Sequence, residues 1–279
     1  MSKFYTARYD RVFKAIFCDE NNKHMMINLL SSILEKKIID LRFLNNELPV
    51  NSIYEKSKTV DVLALVDNEY VHIELNSNCS KFLHMRNFVY FSEIYSKKTK
   101  RGDEYDYKTK FIHIDLTYGL KEGFDVSKYF LINKDGIKYL DNLEIIEFNM
   151  DSLKKYCYTK TKDKYEKFKH LIMLDLDKNE LKRIVLGDEF MREYKDRIEF
   201  LNEDTTFMSA ISYEDDQRLT LNTEKRISFE EGMEKGIEKG MEKSLKTSIQ
   251  NMYKQNFTLD QISNIVELPI EKVKKILNI

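Results

Sequence analysis

The sequence has 279 residues, enough for one large domain or one domain with a small appendage, and 42% hydrophobic with 12% aromatic content excludes a disordered or low-complexity chain. Lys and Arg number 46 against 47 Asp and Glu, a net charge of −1, so the surface is not globally basic and nucleic-acid contact would need a local patch. Cys18, Cys79 and Cys157 are widely spaced and lack CxxC spacing, which excludes a disulfide framework or a cysteine zinc cluster; residues 1–8 carry no apolar signal core, and no run reaches the ~18 apolar residues of a membrane span, so a soluble cytoplasmic protein is expected.

Two prolines, Pro49 and Pro269, and eight glycines punctuate the chain, so its elements are long or are turned by Asn, Asp and Lys. Val12, Phe13, Ile16 and Phe17 recur at helical spacing within 6–18, as do Met26, Leu29, Leu30, Ile33 and Leu34 within 24–34. Residues 60–66 (VDVLALV) are β-branched and nearly all apolar, and after Asp67-Asn68-Glu69 residues 70–76 (YVHIELN) alternate strictly, which predicts a β-hairpin. Helical spacing returns over 81–96 through Phe82, Met85, Val89 and Ile94. Residues 110–116 predict a strand, and 129–132 and 143–150 two more, with an Asp135-Gly136 turn between them. From 151 the pattern is helical and charged, 213–227 reads as a polar loop or linker, and 231–243 repeats with a period of four rather than the seven of a coiled coil.

The hairpin holds the residues with chemical potential. Val71, Ile73 and Leu75 fall on one face, which packs, and His72, Glu74 and Asn76 on the other, which is polar. Asp61 sits inside an apolar run, where a carboxylate is costly unless it is paired or holds a cation. Register decides whether it meets Glu74. A two-residue loop at Asp67-Asn68 puts Asp61 opposite Glu74, whereas a loop at Asn68-Glu69 puts it opposite Asn76 with Glu74 one diagonal away. A three-residue loop without a bulge places the two carboxylates on opposite faces. Paired carboxylates on adjacent strands form a hard-oxygen site for Mg²⁺ or Mn²⁺, completed by a backbone carbonyl and water, and such an ion can activate water at a phosphodiester. His72 shares this face and reads as a structural hydrogen-bonding residue rather than a ligand.

The spacing Asp61-x12-Glu74-x-Asn76 resembles the PD-(D/E)XK nuclease pattern. Its surroundings are similar to one branch, the recombination-promoting nuclease and putative transposase family, on Asp10-Arg11-Val12-Phe13-Lys14, a leucine-rich helix at 26–34, Arg86-Asn87-Phe88-Val89-Tyr90 and Gly102-Asp103-Glu104-Tyr105. The resemblance implies a restriction-endonuclease-like α/β core with a mixed sheet flanked by helices, a helical C-terminal appendage and metal-dependent cleavage of DNA linked to recombination, transposition or defence. It implies Asp61, Glu74 and the Leu75 carbonyl as metal ligands and Asn76 at the position of the superfamily lysine. An amide there can orient water but cannot supply the lysine's positive charge, so slow cleavage is expected; Lys56, Lys58 or Arg86 could reach in instead. Asp10, Lys14, Lys58, Arg86 and Tyr90 are expected around the site or on phosphate, Tyr90 mainly as a buttress.

Two lysine-rich stretches with interleaved tyrosines offer phosphate contacts. They are 97–110 (Lys97, Lys98, Lys100, Arg101, Lys108, Lys110) and 154–169, with seven lysines. In 226–250, Gly232, Gly236 and Gly240 recur beside a stripe of Met233, Ile237, Met241 and Leu245, which reads as a segment (230–245) for a homodimer or higher oligomer. Residues 251–279 read as two short helices of helix-turn-helix type, opened by a Thr258–Gln261 capping box and by Pro269; with one cation at the start of the second helix, this is a packing module rather than a sequence reader. Residues 1–225 are the expected nuclease-like domain. Two other functions compete with an endonuclease: a DNA-binding protein of the same fold that has lost its chemistry at Asn76, and an oligomeric interaction protein.

Overall fold

The computed structural model describes residues 3–45, 47–48, 58–96, 108–120, 123–159, 161–185 and 187–279. The chain divides into two compact units, Met1–Met208 and Ser209–Ile279.

The first unit opens with α1 (Asp10–Phe17) and α2 (Lys23–Ile33), the two expected helices. Val12, Phe13, Ile16 and Phe17 are buried at i, i+1, i+4 and i+5, one apolar stripe that packs α1 on α7. The strands β1 (Leu41–Phe43), β2 (Glu47–Leu48), β3 (Lys58–Thr59), β4 (Val62–Val66) and β5 (Glu69–Asn76) follow, then α3 (Leu83–Ser96), β6 (Phe111–Thr117), β7 (Val126–Tyr129) and β8 (Leu143–Asn149). Six of these strands form a mixed sheet in the order β1-β4-β5-β6-β8-β7, and β2 pairs only with β3. β5, β6 and β8 run parallel at its centre, while the β1–β4, β4–β5 and β7–β8 pairs are antiparallel. The parallel β5–β6 pair needs a crossover, and α3 supplies it.

Helices α4 (Met150–Lys154), α5 (Lys162–Ile172), α6 (Lys178–Ile184) and α7 (Glu189–Glu203) complete this unit. Ile33 of α2 and Leu171 of α5 meet Ile146 and Phe148 around a single cleft on one face of the sheet. The other face carries α3 on a cluster of Val60, Leu63, Phe91, Ile94, Phe111 and Leu143. With both faces covered, the polar residues of β5 are buried as well: His72, Glu74 and Asn76 are at most 5% exposed. The alternation of polar and apolar residues that would mark a half-solvated strand here marks a core strand whose polar face is roofed by a helix.

Two expectations change. Residues 213–227 are not a loop; they lie within α8 (Thr205–Lys254), a 50-residue helix. They contain neither Gly nor Pro and are rich in helix formers, so polarity on every side does not stop the helix. The strand expected at 129–132 is shifted to Val126–Tyr129, and Ile132 makes only an isolated bridge with Lys138 across the turn at Gly136 (φ +83°). The short β1 gave no periodic signal. The 97–107 part of the first basic stretch, the 102–105 motif and Lys56 lie outside the described residues, as does the Lys58 side chain.

In the second unit α9 (Leu259–Val266) and α10 (Ile270–Leu277) pack on the end of α8 through Ile249, Ile262 and Val273. The Thr258–Gln261 capping box forms, with Gln261 N donating to Thr258 Oγ1 and Thr258 N to Gln261 Oε1. Among the described residues no helix is long and apolar enough to cross a membrane.

Candidate active site

The β4–β5 ladder pairs Val62 with Ile73 and Val66 with Glu69, so the loop is the two residues Asp67-Asn68. Both have positive φ, +46° and +66°, as a type I′ turn requires. Asp67 also accepts from the backbone N–H groups of Ile39 (3.1 Å) and Asp40 (2.9 Å), tying the turn to the chain entering β1. Of the three registers open from the sequence, the first therefore forms. Continued by one residue it brings Asp61 opposite Glu74, and the Asp61 backbone N–H donates to Glu74 Oε1 at 3.4 Å. The Leu75 N–H donates to Asp61 Oδ2 at 2.8 Å, which holds the Asp61 side chain over β5.

Asp10 and Lys14, one turn apart on α1, close the other side. Lys14 Nζ lies 3.2 Å from Asp61 Oδ1 and 2.8 Å from Asp10 Oδ1. Two carboxylates thus share one ammonium, with Glu74 beside them. Burial pushes Glu74 up to about 7. Burial, then the Glu74 charge, raises Asp61. Asp10 rises to about 6 through desolvation and the Asp61 charge. Desolvation would lower Lys14, but the hydrogen bond to Asp10 and the Asp61 charge outweigh it and hold the ammonium above its ordinary value. The donor set is hard oxygen with excess negative charge, which fits a divalent cation held by Asp61, Glu74 and the Leu75 carbonyl. Among the described residues no three His, Cys, Asp or Glu side chains are grouped to hold an ion by themselves, so backbone and water oxygens would have to complete the sphere.

Asn76 is 2% exposed and its amide is fully engaged. Nδ2 donates to Asp115 Oδ1 (3.1 Å) and Thr117 Oγ1 (3.3 Å), and Oδ1 accepts from Arg86 Nη2 at 2.6 Å. A cation from α3 therefore stands beside Asn76, the residue that the sequence resemblance aligns with the superfamily lysine. Asn87, also on α3, donates to Asp115 Oδ1 (2.6 Å) and accepts from Arg86 Nε (3.2 Å), so helix and strand hold the guanidinium jointly. Tyr90, partly buried, packs against the apolar cluster under α3 as a buttress.

His72 Nε2 lies 2.9 Å from Glu74 Oε1, and its Nδ1 lies 2.8 Å from Nδ1 of His113, directly opposite on β6. Burial and the neighbouring His113 hold His72 well below the ordinary histidine value. Asp115 is opposite Glu74; burial would raise it, and His113 and Asn76 outweigh that to leave it lowered. On β8, Glu147 accepts from Thr117 Oγ1 (3.4 Å) and Tyr129 OH (3.0 Å), with His84 Nε2 at 2.9 Å. Sequence reasoning missed His113, Asp115 and Glu147, although residues 111–117 (FIHIDLT) carry the same two-residue polar period as 70–76.

The second basic stretch is largely neutralised. Lys154 pairs with Asp175, Lys164 with Asp125, Lys167 with Glu35 and Lys169 with Asp188, at 2.7–3.3 Å. Those four lysines join helices and loops to one another rather than forming an open phosphate track. Compared with known proteins, residues 7–228 match the model of a family described as PD-(D/E)XK nuclease family transposase. No curated protein and no solved structure matches the chain.

Proposed function

Because the chain belongs to the PD-(D/E)XK nuclease family of transposases, we propose that it is a metal-dependent DNA endonuclease that hydrolyses phosphodiester bonds. Members of this superfamily generally use divalent metal ions and act on DNA. The observation that carries the reading is the opposition of Asp61 and Glu74 across the hairpin, with excess negative charge around them. Mg²⁺ or Mn²⁺ held by Asp61, Glu74 and the Leu75 carbonyl would polarise water and neutralise charge on the phosphate. Arg86, anchored by Asn76, supplies the positive charge that lysine gives elsewhere in the superfamily. Lys14 orients Asp61 and shares its charge with Asp10. Cytoplasmic action in recombination, transposition or defence is the setting this chemistry suits, with the 230–245 segment of α8 joining copies of the chain.

Asp61→Asn and Glu74→Gln test the reading. Each is expected to lower Mn²⁺-dependent nicking of plasmid DNA by at least about 10²-fold while leaving DNA affinity within a few fold. Unchanged nicking in both variants would overturn it. The Asn at position 76 favours a second reading, a DNA-binding protein without chemistry, which would be recognised by the absence of nicking by the wild-type protein at saturating DNA.

A further inference from the structure

The α3-covered face of the sheet carries a second feature that the carboxylate pair does not use. Between α3 and the β6–β8–β7 half of the sheet lies a cavity of about 390 Å³. Its polar end is His113 and Asp115, 1% and 3% exposed. His113 Nε2 is buried without a well-aligned hydrogen bond, its near polar neighbour being Asp115 Oδ1 at 3.2 Å, while the ring's other nitrogen is engaged by His72. A buried ring nitrogen paired this poorly gains from a ligand that brings a polar edge. The walls are aromatic: Phe88, Tyr129 and Phe130 are 39–45% exposed, and Lys138 Nζ stands 4.4 Å from the centre of the Phe130 ring. Tyr129 and His84 are held in place by Glu147, one on each carboxylate oxygen.

An apolar aromatic slot ending in a carboxylate and an imidazole accepts a planar ring with a polar edge. It rejects a phosphate, because Asp115 and the adjoining Glu147 present negative charge where the anion would sit. Of a nucleotide, only the base can enter. A carboxylate accepts from an exocyclic amino group, which cytosine, adenine and guanine possess and thymine lacks. The location also suits DNA. Asp115 lies opposite Glu74 in the ladder, one strand spacing of about 4.8 Å away, so a strand held at the carboxylate pair passes the cavity within about a nucleotide's length.

We propose that the His113–Asp115 cavity receives one unpaired, amino-bearing nucleobase from the DNA strand held at Asp61 and Glu74, stacking it against Phe88 and Phe130. The inference rests on the reading of the chain as a DNA-cutting protein and adds a preference for DNA with an extrahelical or single-stranded base.

The test is fluorescence anisotropy of the full chain, in metal-free buffer to prevent cutting, with three duplexes of one sequence. One is fully paired, one carries a single unpaired cytosine, and one has an abasic site at that position. The unpaired-cytosine duplex is expected to bind about tenfold more tightly than the other two, and an unpaired thymine to gain less. Phe88→Ala and Phe130→Ala remove half-exposed rings and leave the core intact, so they should reduce the cytosine duplex to the affinity of the paired one without changing the latter. Equal affinity for the cytosine and abasic duplexes, or a preference that survives both substitutions, overturns the cavity assignment and leaves the nuclease reading standing. Failure to bind any of the duplexes overturns both.

Discussion

Under the proposed function, Arg86 takes a chemical role that has left its usual place in the sequence. The strand position that holds lysine in the superfamily is Asn76, and its amide oxygen receives a guanidinium from α3 at 2.6 Å. Arginine keeps its charge under all working conditions and presents a rigid fork, so an exposed arginine held at Nε and Nη2 still offers Nη1 to a phosphate. Arg86→Ala is expected to reduce nicking by about 10²-fold with DNA affinity nearly unchanged, and Arg86→Lys to restore part of the loss, both read in single-turnover assays. Asp188 acts on stability instead. Burial would raise its carboxyl, but Lys169, His170 and the Met191 N–H outweigh that and hold it below the ordinary range. A depressed carboxyl contributes stability above the unfolded value of about 3.9 and loses it as pH falls through the folded value. The stability gap between wild type and Asp188→Asn, measured by urea unfolding, should therefore be largest near neutrality and shrink below about pH 4.

At the scale of elements, the turn between β4 and β5 decides whether there is a site. Its two residues both occupy the left-handed region, which Asn and Asp tolerate and β-branched residues do not. Asn68→Val is expected to cost about 1–2 kcal/mol, seen as a lower urea midpoint with an unchanged slope. The hairpin itself was legible, because apolar runs on both sides of Asp67-Asn68-Glu69 have the period of strands. Its register was not, since two-residue loops at 67–68 and 68–69 fit the same letters; hydrogen bonds from the backbone of residues 39 and 40 to Asp67 favour one of them. α3 was legible by its period, but the sequence does not say that Arg86 and Asn87 turn toward the sheet. That direction follows from Phe91 and Ile94 packing under the helix on Phe111 and Leu63.

For the whole molecule, a net charge of −1 conceals, among the described residues, local pairing in the second lysine-rich stretch. The lysines of 154–169 that looked available for phosphate mainly answer acidic residues distant in sequence, such as Glu35 and Asp188, so charge near zero here is a property of the fold's joints. On α8 a different surface is open: Met233, Ile237 and Met241 are 53–69% exposed, and a Cβ added at Gly232, Gly236 or Gly240 would meet, among the described residues, nothing within 4 Å beyond the helix's own backbone. Exposed apolar side chains beside glycines suit a second helix at close range. On the proposal that this segment joins copies of the chain, the wild type is expected to sediment as a dimer and the replacement of Met233, Ile237 and Met241 together by Glu as a monomer, with far-UV helicity of the folded chain retained; a monomeric wild type would overturn it.

What the sequence determined by itself was local: the periods of α1, α2, α3, β4, β5, β6 and β8, the Thr258 cap, and the presence of carboxylates at Asp61, just before β4, and at Glu74 in β5. These follow from side chains alternating every two or 3.6 residues, which needs no knowledge of neighbours. Tertiary structure decided everything that depends on long-range partners. It brought Asp10 and Lys14 of α1 to Asp61, set Arg86 at Asn76, and faced His113 and Asp115 with His72 and Glu74 across a parallel pair joined by a 34-residue connection. Parallel pairing carries no turn signal in the chain, because its register is set by how the crossover helix packs on the sheet.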